Sequence, residues 1–339
     1  MNILKSFGKL ILSGGIAILI LSGIFASYMT MPVHIENVQG NTDYVWPAGS
    51  VWMKMTEGIS WGKFDENGYN NMQVVEKPDV LILGSSHMEA TNVMQDENVA
   101  YVLNERLGET YSVYNQGISG HHFLKVCKYL SKTLLMRDEA PRYVVIETST
   151  TTFKEAEIEK LLKDEIEYTP SNSTGLIATL QKFSFLRLLY NQIDGGLLDL
   201  FMPESDEKLE IKESNAETIN VSAYDNLFKY IETSLQGKNT QVIIAYHPKE
   251  KLQDDGTVLY EKEDGTEIFA EKCQEYGIEF VDMTDDFYKM YQESYKVPHG
   301  FVTGAIASGH LNADGHAAMA ERLAEVILTL EGEDRYADN

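Results

Sequence analysis

The sequence has little cysteine, and this limits the kinds of site it could carry. Its 339 residues include two cysteines, Cys127 and Cys273, and neither belongs to a CxxC pair or to a Cys/His cluster. A structural zinc site is therefore not expected, and we predict no metal and no cofactor. Each cysteine lies in a segment with a helical pattern, where a lone cysteine is usually a small buried residue. A disulfide between the two stays open.

Basic residues are also scarce. The chain has 28 Lys and Arg against 52 Asp and Glu, which gives a formal net charge of −24. A face that binds nucleic acid needs clustered Lys and Arg, so we predict no nucleic-acid partner. The same excess of acidic residues argues against a domain that lies flat on an anionic lipid surface. The acidity is typical of a protein kept soluble by its charge.

A long uncharged run lies near the amino terminus, from Leu10 to Met31, after Lys5 and Lys9. At the helical rise, these residues span about 33 Å, enough for the core of a bilayer. Lysines before the run and an acidic chain after it predict a cytoplasmic amino terminus. We therefore predict that residues 1–31 are a cytoplasmic tip and transmembrane anchor, with residues 10–31 in the bilayer. A cleaved signal peptide is the alternative, and it also places the remaining chain outside the cytoplasm.

From Pro78 onward, short apolar runs alternate with helical patterns. The runs are rich in β-branched residues, as expected for strands buried on both faces. The predicted strands are Asp79–Leu83, Tyr111–Asn115, Tyr143–Ile146, Gln241–Tyr246 and Ile278–Val281. The predicted helices are Ala90–Leu107, His121–Met136, Ala223–Leu235, Ile268–Tyr276 and Ala313–Leu330. This order predicts an α/β fold of three layers (α/β/α), with a flavodoxin-like five-stranded parallel sheet.

The remaining segments set the predicted domain organisation. Residues 32–77 contain Pro, Gly and Asn with patches of Trp and Tyr, and are interpreted as a connector. Residues 78–330 form the predicted catalytic domain. Residues 151–221 interrupt the alternation of strands and helices and are interpreted as a helical insertion that contains an apolar helix at Leu176–Leu200. The insertion could serve for packing, as a substrate lid or as a partner surface. Residues 331–339 form an acidic tail.

Three motifs follow the predicted strands and could carry chemistry. Ser86 stands in a Gly-Ser-Ser-His turn after the first strand, where a hydroxyl is exposed near backbone N–H groups. Gly117 follows the second strand, where its N–H could point at an oxyanion. His310 follows the last strand in a Gly-His-Leu-Asn loop and can act as general base. Each motif alone is common, but their order along an α/β alternation is much more specific.

These motifs resemble the SGNH (GDSL-like) hydrolase superfamily over about residues 78–330. LILGSSH matches the first family block, NQGISG the second and HLNADGHAAMAERL the fifth. The resemblance implies Ser86 as nucleophile, His310 as base, and an oxyanion hole formed by the backbone of Ser86 and Gly117. It also implies Asn312 and His316 as structural neighbours of the base.

The sequence departs from the family pattern in two places. The third block, IETSTTTF, has no Asn to complete the oxyanion hole, so Thr148, Ser149 or Thr150 would have to donate, and we select Ser149. The family Asp three residues before the base is replaced by Ala307. Either a Ser-His dyad suffices, or a carboxylate arrives from elsewhere, such as Glu147 or Asp282, or the domain is catalytically weak.

Other histidines are predicted on the same rim of the sheet. His87, His122 and His247 form a predicted polar rim for substrate, and His121 falls beside them. The alternatives are a metal site or ordinary hydrogen-bonded loop histidines. His316, two residues after Asp314, is a second candidate for the base.

The resemblance implies a membrane-tethered serine esterase or O-acyltransferase that acts on acyl groups of cell-wall or exported polysaccharide, with acetyl as the expected acyl group. It also implies a membrane-bound O-acyltransferase as a partner. The alternative from a different class is an inactive scaffold with the same fold that binds polysaccharide or the acyltransferase. The distance between Ser86 Oγ and a ring nitrogen of His310 distinguishes the two.

Overall fold

The computed structural model describes residues 2–25, 31–32, 34–37, 40–54, 57–166, 183, 185–186, 220–303 and 305–337. The strands are β1 Ile35–Glu36, β2 Tyr44–Val45, β3 Val51–Lys54, β4 Ser60–Lys63, β5 Val80–Leu83, β6 Val113–Asn115, β7 Tyr143–Thr148, β8 Gln241–Tyr246, β9 Lys249–Leu252, β10 Val258–Glu261, β11 Glu279–Asp282, β12 His299–Gly300 and β13 Ile306–Leu311. The helices are α1 Asn2–Phe25, α2 Ser86–Glu89, α3 Val99–Leu107, α4 Phe123–Leu135, α5 Glu155–Leu162, α6 Val221–Leu235, α7 Thr266–Glu275, α8 Thr284–Ser294 and α9 Ala313–Ala337.

Five parallel strands form the central sheet in the order β11-β8-β7-β5-β6. In chain order this is 2-1-3-4-5, the flavodoxin-like arrangement. The strands β5 and β7 are buried along their whole length, which explains their continuous apolar sequence. The predicted fold class and all five predicted strands are therefore confirmed, with ends that differ by one or two residues.

Helices cover both faces of this sheet. Along β5, Leu81 and Leu83 point to a core shared with α4, α5, α6 and α7, whereas Val80 and Ile82 point to a core shared with α3, α8 and α9. This alternation is the two-residue period of a strand. It produces the predicted three layers.

The helix predicted over Ala90–Leu107 is wrong in its first half. The short helix α2 ends at Ala90, which adopts a left-handed conformation with φ 53°, and α3 begins only at Val99. The side chain of Asn98 accepts a hydrogen bond from the Tyr101 amide and caps α3. Helix α8 was not predicted from the sequence.

The segment 32–77 is a folded part of the domain. It forms the antiparallel hairpins β1–β2 and β3–β4, and Trp46, Trp52 and Phe64 make a small core of their own. The Ser60 hydroxyl donates to the Thr91 carbonyl at 2.6 Å, which ties β4 to the loop after α2. The segment therefore lies against the loop that follows α2, at the carboxyl end of β5.

Both ends of the chain are helical in the described part. Within α1, Lys5–Ile24 is long and apolar enough to cross a membrane, with a mean hydropathy of 2.0, and an amino-terminal signal sequence has the same properties. Helix α9 continues to Ala337, so the segment predicted as an acidic tail at 331–339 begins as helix. The predicted helix Leu176–Leu200 and most of the predicted insertion 151–221 lie outside the described residues.

Candidate active site

Ser86 and His310 meet at the carboxyl end of the sheet. Ser86 is the first residue of α2, directly after β5, and His310 lies near the end of β13. The Oγ of Ser86 is 2.8 Å from Nε2 of His310. This is hydrogen-bonding distance, so the imidazole can take the hydroxyl proton.

The carboxylate behind His310 comes from Glu57. Its Oε2 contacts Nδ1 of His310 in a short hydrogen bond. Because a carboxylate only accepts, Nδ1 carries the hydrogen, and Nε2 is left free to accept from Ser86. Ser86, His310 and Glu57 therefore have the connectivity of a Ser-His-acid triad.

Neighbouring residues fix the position of Glu57. Its Oε2 accepts a hydrogen bond from Nδ2 of Asn92. Oδ1 of the same Asn92 amide accepts a hydrogen bond from Nζ of Lys54 at 2.5 Å. Burial lowers the pKa of Lys54, and the charges of Glu89 and Glu57 partly oppose this effect. Gly309 has φ +85°, and a Cβ built there would lie 2.5 Å from Oε1 of Glu57. A side chain at position 309 would therefore push the carboxylate away.

The two carboxylates suggested by the sequence as replacements for the acid have other partners. Glu147 is buried, and its Oε2 accepts from the Ser85 amide at 2.7 Å while Oε1 lies 2.8 Å from Nε2 of His247. Asp282 accepts from the amide of Thr284 and pairs with Lys262 at 2.7 Å. Neither contacts His310, so both suggestions are wrong.

The short helix that carries Ser86 is held from several sides. The Ser85 hydroxyl accepts from the His87 amide and caps α2. Buried Glu89 accepts from Nε1 of Trp46 at 2.9 Å and from the Ser119 amide at 3.1 Å. The side chain of Asn115 donates to the Met88 carbonyl at 2.6 Å. These contacts fix the turn that presents the nucleophile.

The expected oxyanion donors have different surroundings. The backbone N–H of Ser86 has no hydrogen-bond partner among the described residues, so it remains free to donate. The Gly117 amide already donates to Oδ1 of Asn115 at 2.8 Å. A Cβ at Gly117 would lie 2.4 Å from the Met88 backbone, so this glycine permits close packing against α2. The structure therefore does not support Gly117 as an oxyanion donor.

Ser149 is the third-block hydroxyl that lines the site. The Thr148 hydroxyl donates a hydrogen bond to the Thr150 carbonyl, and the Thr150 hydroxyl donates one to the Glu263 carboxylate. Ser149 lines a cavity of about 310 Å³ that also reaches Ala307, Ser308 and Gly309, just before the base. His87 and Gly309, which are the chain neighbours of Ser86 and His310, both line this cavity.

Two of the three predicted rim histidines lie together. His87 and His247 line the same cavity, with ring centroids 4.5 Å apart. Burial and the charge of neighbouring histidines hold the pKa of both far below its usual value. His122 is exposed and lines a separate groove beside Thr150 and Glu157. The prediction of a common rim is therefore wrong for His122.

The remaining candidates from the sequence form no hydrogen bond with Ser86 among the described residues. His316 is buried, neither of its ring nitrogens has a hydrogen-bond partner in the described part of the chain, and burial lowers its pKa to about 3. Its predicted partner Asp314 pairs with Lys296 at 2.6 Å, which argues against this pair as the base. His121 lies beside Asp43 at 3.4 Å. Cys127 and Cys273 are free and buried, so they form no disulfide.

Glu57 and His299 are the site residues that sequence reasoning missed. Glu57 lies in the segment interpreted as a connector, and no motif marks it. His299 lies in β12, where its Nε2 is 3.1 Å from Nδ1 of His247. The strand β12 has two residues and no apolar pattern of its own, so no sequence signal marks His299.

No protein-family model matches this chain, and no curated protein matches it. Solved structures do show likeness in fold. A carbohydrate acetylesterase from Sinorhizobium meliloti is 12% identical, with 74% of this chain and 98% of that chain covered and a TM-score of 0.40. An acetylxylan esterase from Geobacillus stearothermophilus is 14% identical, with 75% and 95% covered and a TM-score of 0.39. An aryl esterase from M. smegmatis is 13% identical, with 74% and 98% covered and a TM-score of 0.38.

Proposed function

We propose that this chain is a membrane-anchored, extracytoplasmic serine esterase or O-acyltransferase that acts on acyl esters of polysaccharide. The observation that carries the proposal is the contact of 2.8 Å between Ser86 Oγ and His310 Nε2, with Glu57 hydrogen-bonded behind the ring. An inactive scaffold has no need to keep these three groups in line. The short distance between Ser86 Oγ and His310 Nε2 therefore favours an enzyme over an inactive scaffold.

In the proposed mechanism, Ser86 Oγ attacks the ester carbonyl while Nε2 of His310 takes its proton. Glu57 holds the ring in the correct tautomer and stabilises the imidazolium that forms. The Ser86 N–H and the Ser149 hydroxyl are the proposed donors to the oxyanion. His310 then returns the proton to the leaving alcohol, which gives an acyl-Ser86 intermediate.

The second half of the reaction decides between hydrolase and transferase. Water attacking the acyl-enzyme gives an esterase, and a sugar hydroxyl gives a transferase. A cavity of about 310 Å³ has room for an acyl group and for part of the acceptor. The SGNH resemblance supports the choice of cell-wall or exported polysaccharide as substrate.

The location and the partner are part of the same proposal. Residues 10–31 are the proposed anchor and overlap the apolar helical segment Lys5–Ile24, with Lys5 and Lys9 on the cytoplasmic side. A membrane-bound O-acyltransferase is the proposed source of acyl groups. Its co-purification with the full-length chain from membranes would support this role. Undiminished acyl transfer by the purified chain alone, from a soluble acyl donor to polymer, would contradict the need for it.

Acetate release tests the activity. Full-length protein in detergent is incubated with acetylated xylan and with p-nitrophenyl acetate, with and without an unacetylated oligosaccharide acceptor. We expect acetate release by the wild type, loss of release in Ser86→Ala, and acetylated acceptor if the enzyme is a transferase. A folded wild type that cleaves neither ester would contradict the proposal.

A further inference from the structure

Three histidines from separate parts of the chain converge next to Ser86. His87 lies in α2, His247 follows β8 and His299 lies in β12. One ring nitrogen from each lies within 4.8 Å of the others. The distance between His247 Nδ1 and His299 Nε2 is 3.1 Å. Tetrahedral zinc with Zn–N bonds of about 2.0–2.1 Å holds its ligand atoms roughly 3.3 Å apart, so this pair already has the required spacing.

Carboxylates stand behind two of these rings. Oε1 of Glu147 lies 2.8 Å from Nε2 of His247, and Oε1 of Glu250 lies 3.4 Å from Nδ1 of His299. All four side chains are almost fully buried. The side chains of His247 and Glu147 are each 1% exposed, that of His299 is 6% exposed and that of Glu250 is 0% exposed. A histidine whose outer nitrogen faces a carboxylate is the usual surrounding of a metal ligand, because the carboxylate fixes the tautomer and raises the basicity of the inner nitrogen.

A cation between the rings would separate two lone pairs that otherwise face each other. If both outer nitrogens donate to their carboxylates, His247 Nδ1 and His299 Nε2 face each other as lone pairs at 3.1 Å. If His299 Nε2 donates to His247 instead, its Nδ1 presents a lone pair to the Glu250 carboxylate. Among the described residues, His299 Nδ1 has no hydrogen-bond partner. A cation bound by the two inner nitrogens uses both lone pairs and leaves each outer nitrogen to donate to its carboxylate.

His87 completes the cluster from the side of the nucleophile. Its ring centroid lies 5.1 Å from that of His310 and 5.7 Å from that of His299. Its Nδ1 accepts a hydrogen bond from the Leu311 amide at 3.2 Å, so coordination through Nε2 requires this bond to be given up. His87 would therefore be the weakest of the three ligands.

The cluster is open on one side. His87, His247 and His299 all line the cavity of about 310 Å³ that also contains Ser149. Three protein nitrogens with an accessible fourth position are typical of a catalytic rather than a purely structural zinc site. Imidazole nitrogens favour zinc and related transition metals over Mg²⁺ or Ca²⁺, which prefer oxygen.

We propose that His247 and His299, completed by His87, bind a divalent transition metal of the zinc class in the wall of the active-site cavity. Glu147 and Glu250 orient the two principal ligands. The ion would place positive charge beside Ser86. The Gly117 amide does not supply positive charge there, because it already donates to Oδ1 of Asn115. The proposal concerns binding and does not depend on the esterase function, since serine labelling and metal binding are measured separately.

Titration with Co²⁺ tests the site directly. Full-length protein without a polyhistidine tag is treated with dipicolinate, dialysed and titrated with Co²⁺, followed by competition with Zn²⁺. We expect visible absorption bands of tetrahedral Co²⁺ that saturate at one equivalent and disappear when Zn²⁺ is added. A wild-type protein without such bands overturns the proposal. A proton shared between His247 and His299 would then take the place of the metal ion.

Variants locate the ion. The double variant His247→Gln/His299→Gln should lose the bands, whereas the matched control His122→Gln should keep them. Glu250→Gln changes an outer carboxylate and should weaken binding by about 10- to 100-fold. Unchanged affinity in the folded double variant overturns the site. If the double variant does not fold, unchanged affinity in Glu250→Gln overturns it instead.

Discussion

Replacement of Glu57 by Gln tests the part of the site that the sequence did not reveal. The substitution keeps the size of the side chain and removes its charge, so the imidazolium formed by His310 loses its stabilising partner. The Gln amide can also present NH₂ to Nδ1, which favours the wrong tautomer. Activity should therefore fall while the protein stays folded.

The size of the loss follows from the surroundings of Glu57. Loss of the charge of a fully buried triad acid lowers kcat by about 10⁴-fold. The Glu57 side chain is 32% exposed, and His310 is 27% exposed, so water partly replaces the lost interaction. We therefore expect a loss of about 10²- to 10³-fold in kcat, equivalent to roughly 2.7–4 kcal/mol in the activation free energy.

The assay is p-nitrophenyl acetate hydrolysis by full-length protein in detergent, with far-UV circular dichroism as the check of folding. Glu66→Gln is the matched control, because this exposed carboxylate lies in the same segment. It should retain wild-type kcat. If Glu57→Gln keeps more than a third of wild-type kcat, or loses no more than Glu66→Gln, then Glu57 is not the triad acid.

Three further predictions use four substitutions in and around the site. Gly309→Ala should lower kcat by about tenfold or more, because its Cβ would displace Glu57 and misplaced groups are catalytically costly; normal kcat would contradict the packing argument. His310→Gln should abolish reaction with a fluorophosphonate and His316→Gln should not, as measured by intact mass; the reverse result would make His316 the base. Burial raises the pKa of Asp43, but its hydrogen bonds outweigh this and leave its pKa below the usual value. The unfolding free energy of the wild type should thus fall on acidification below about pH 5, and Asp43→Asn should remove part of that slope in urea titrations, whereas an unchanged slope would contradict the assignment.

The sheet was predictable because its strands carry their own signal. Residues such as Leu81 and Ile82 are buried on both faces of a parallel sheet, so hydrophobicity alone marks them. The short helix α2 was not separable from α3 by pattern. The left-handed Ala90 that ends α2 is set by tertiary contacts, such as that of the Asn70 side chain with the Ala90 carbonyl.

The site was predictable where a residue follows a predicted strand, as Ser86 does, or stands in a family motif, as His310 does. Ser86 and His310 meet because β5 and β13 deliver them to one edge. Glu57 comes from a hairpin segment more than 250 positions before His310, and only the folded chain brings them together. The Ala307 position, where the family resemblance expects an acid, instead adopts φ 59° and is buried.

The most direct test of the triad is the labelling of Ser86. Full-length protein is treated with a fluorophosphonate, and the labelled residue is identified by peptide mass analysis. The account predicts a single adduct on Ser86 in the wild type, its retention on Ser86 in Ser85→Ala, and its loss in folded Ser86→Ala. A folded wild type that remains unlabelled, or an adduct on another serine, would contradict it.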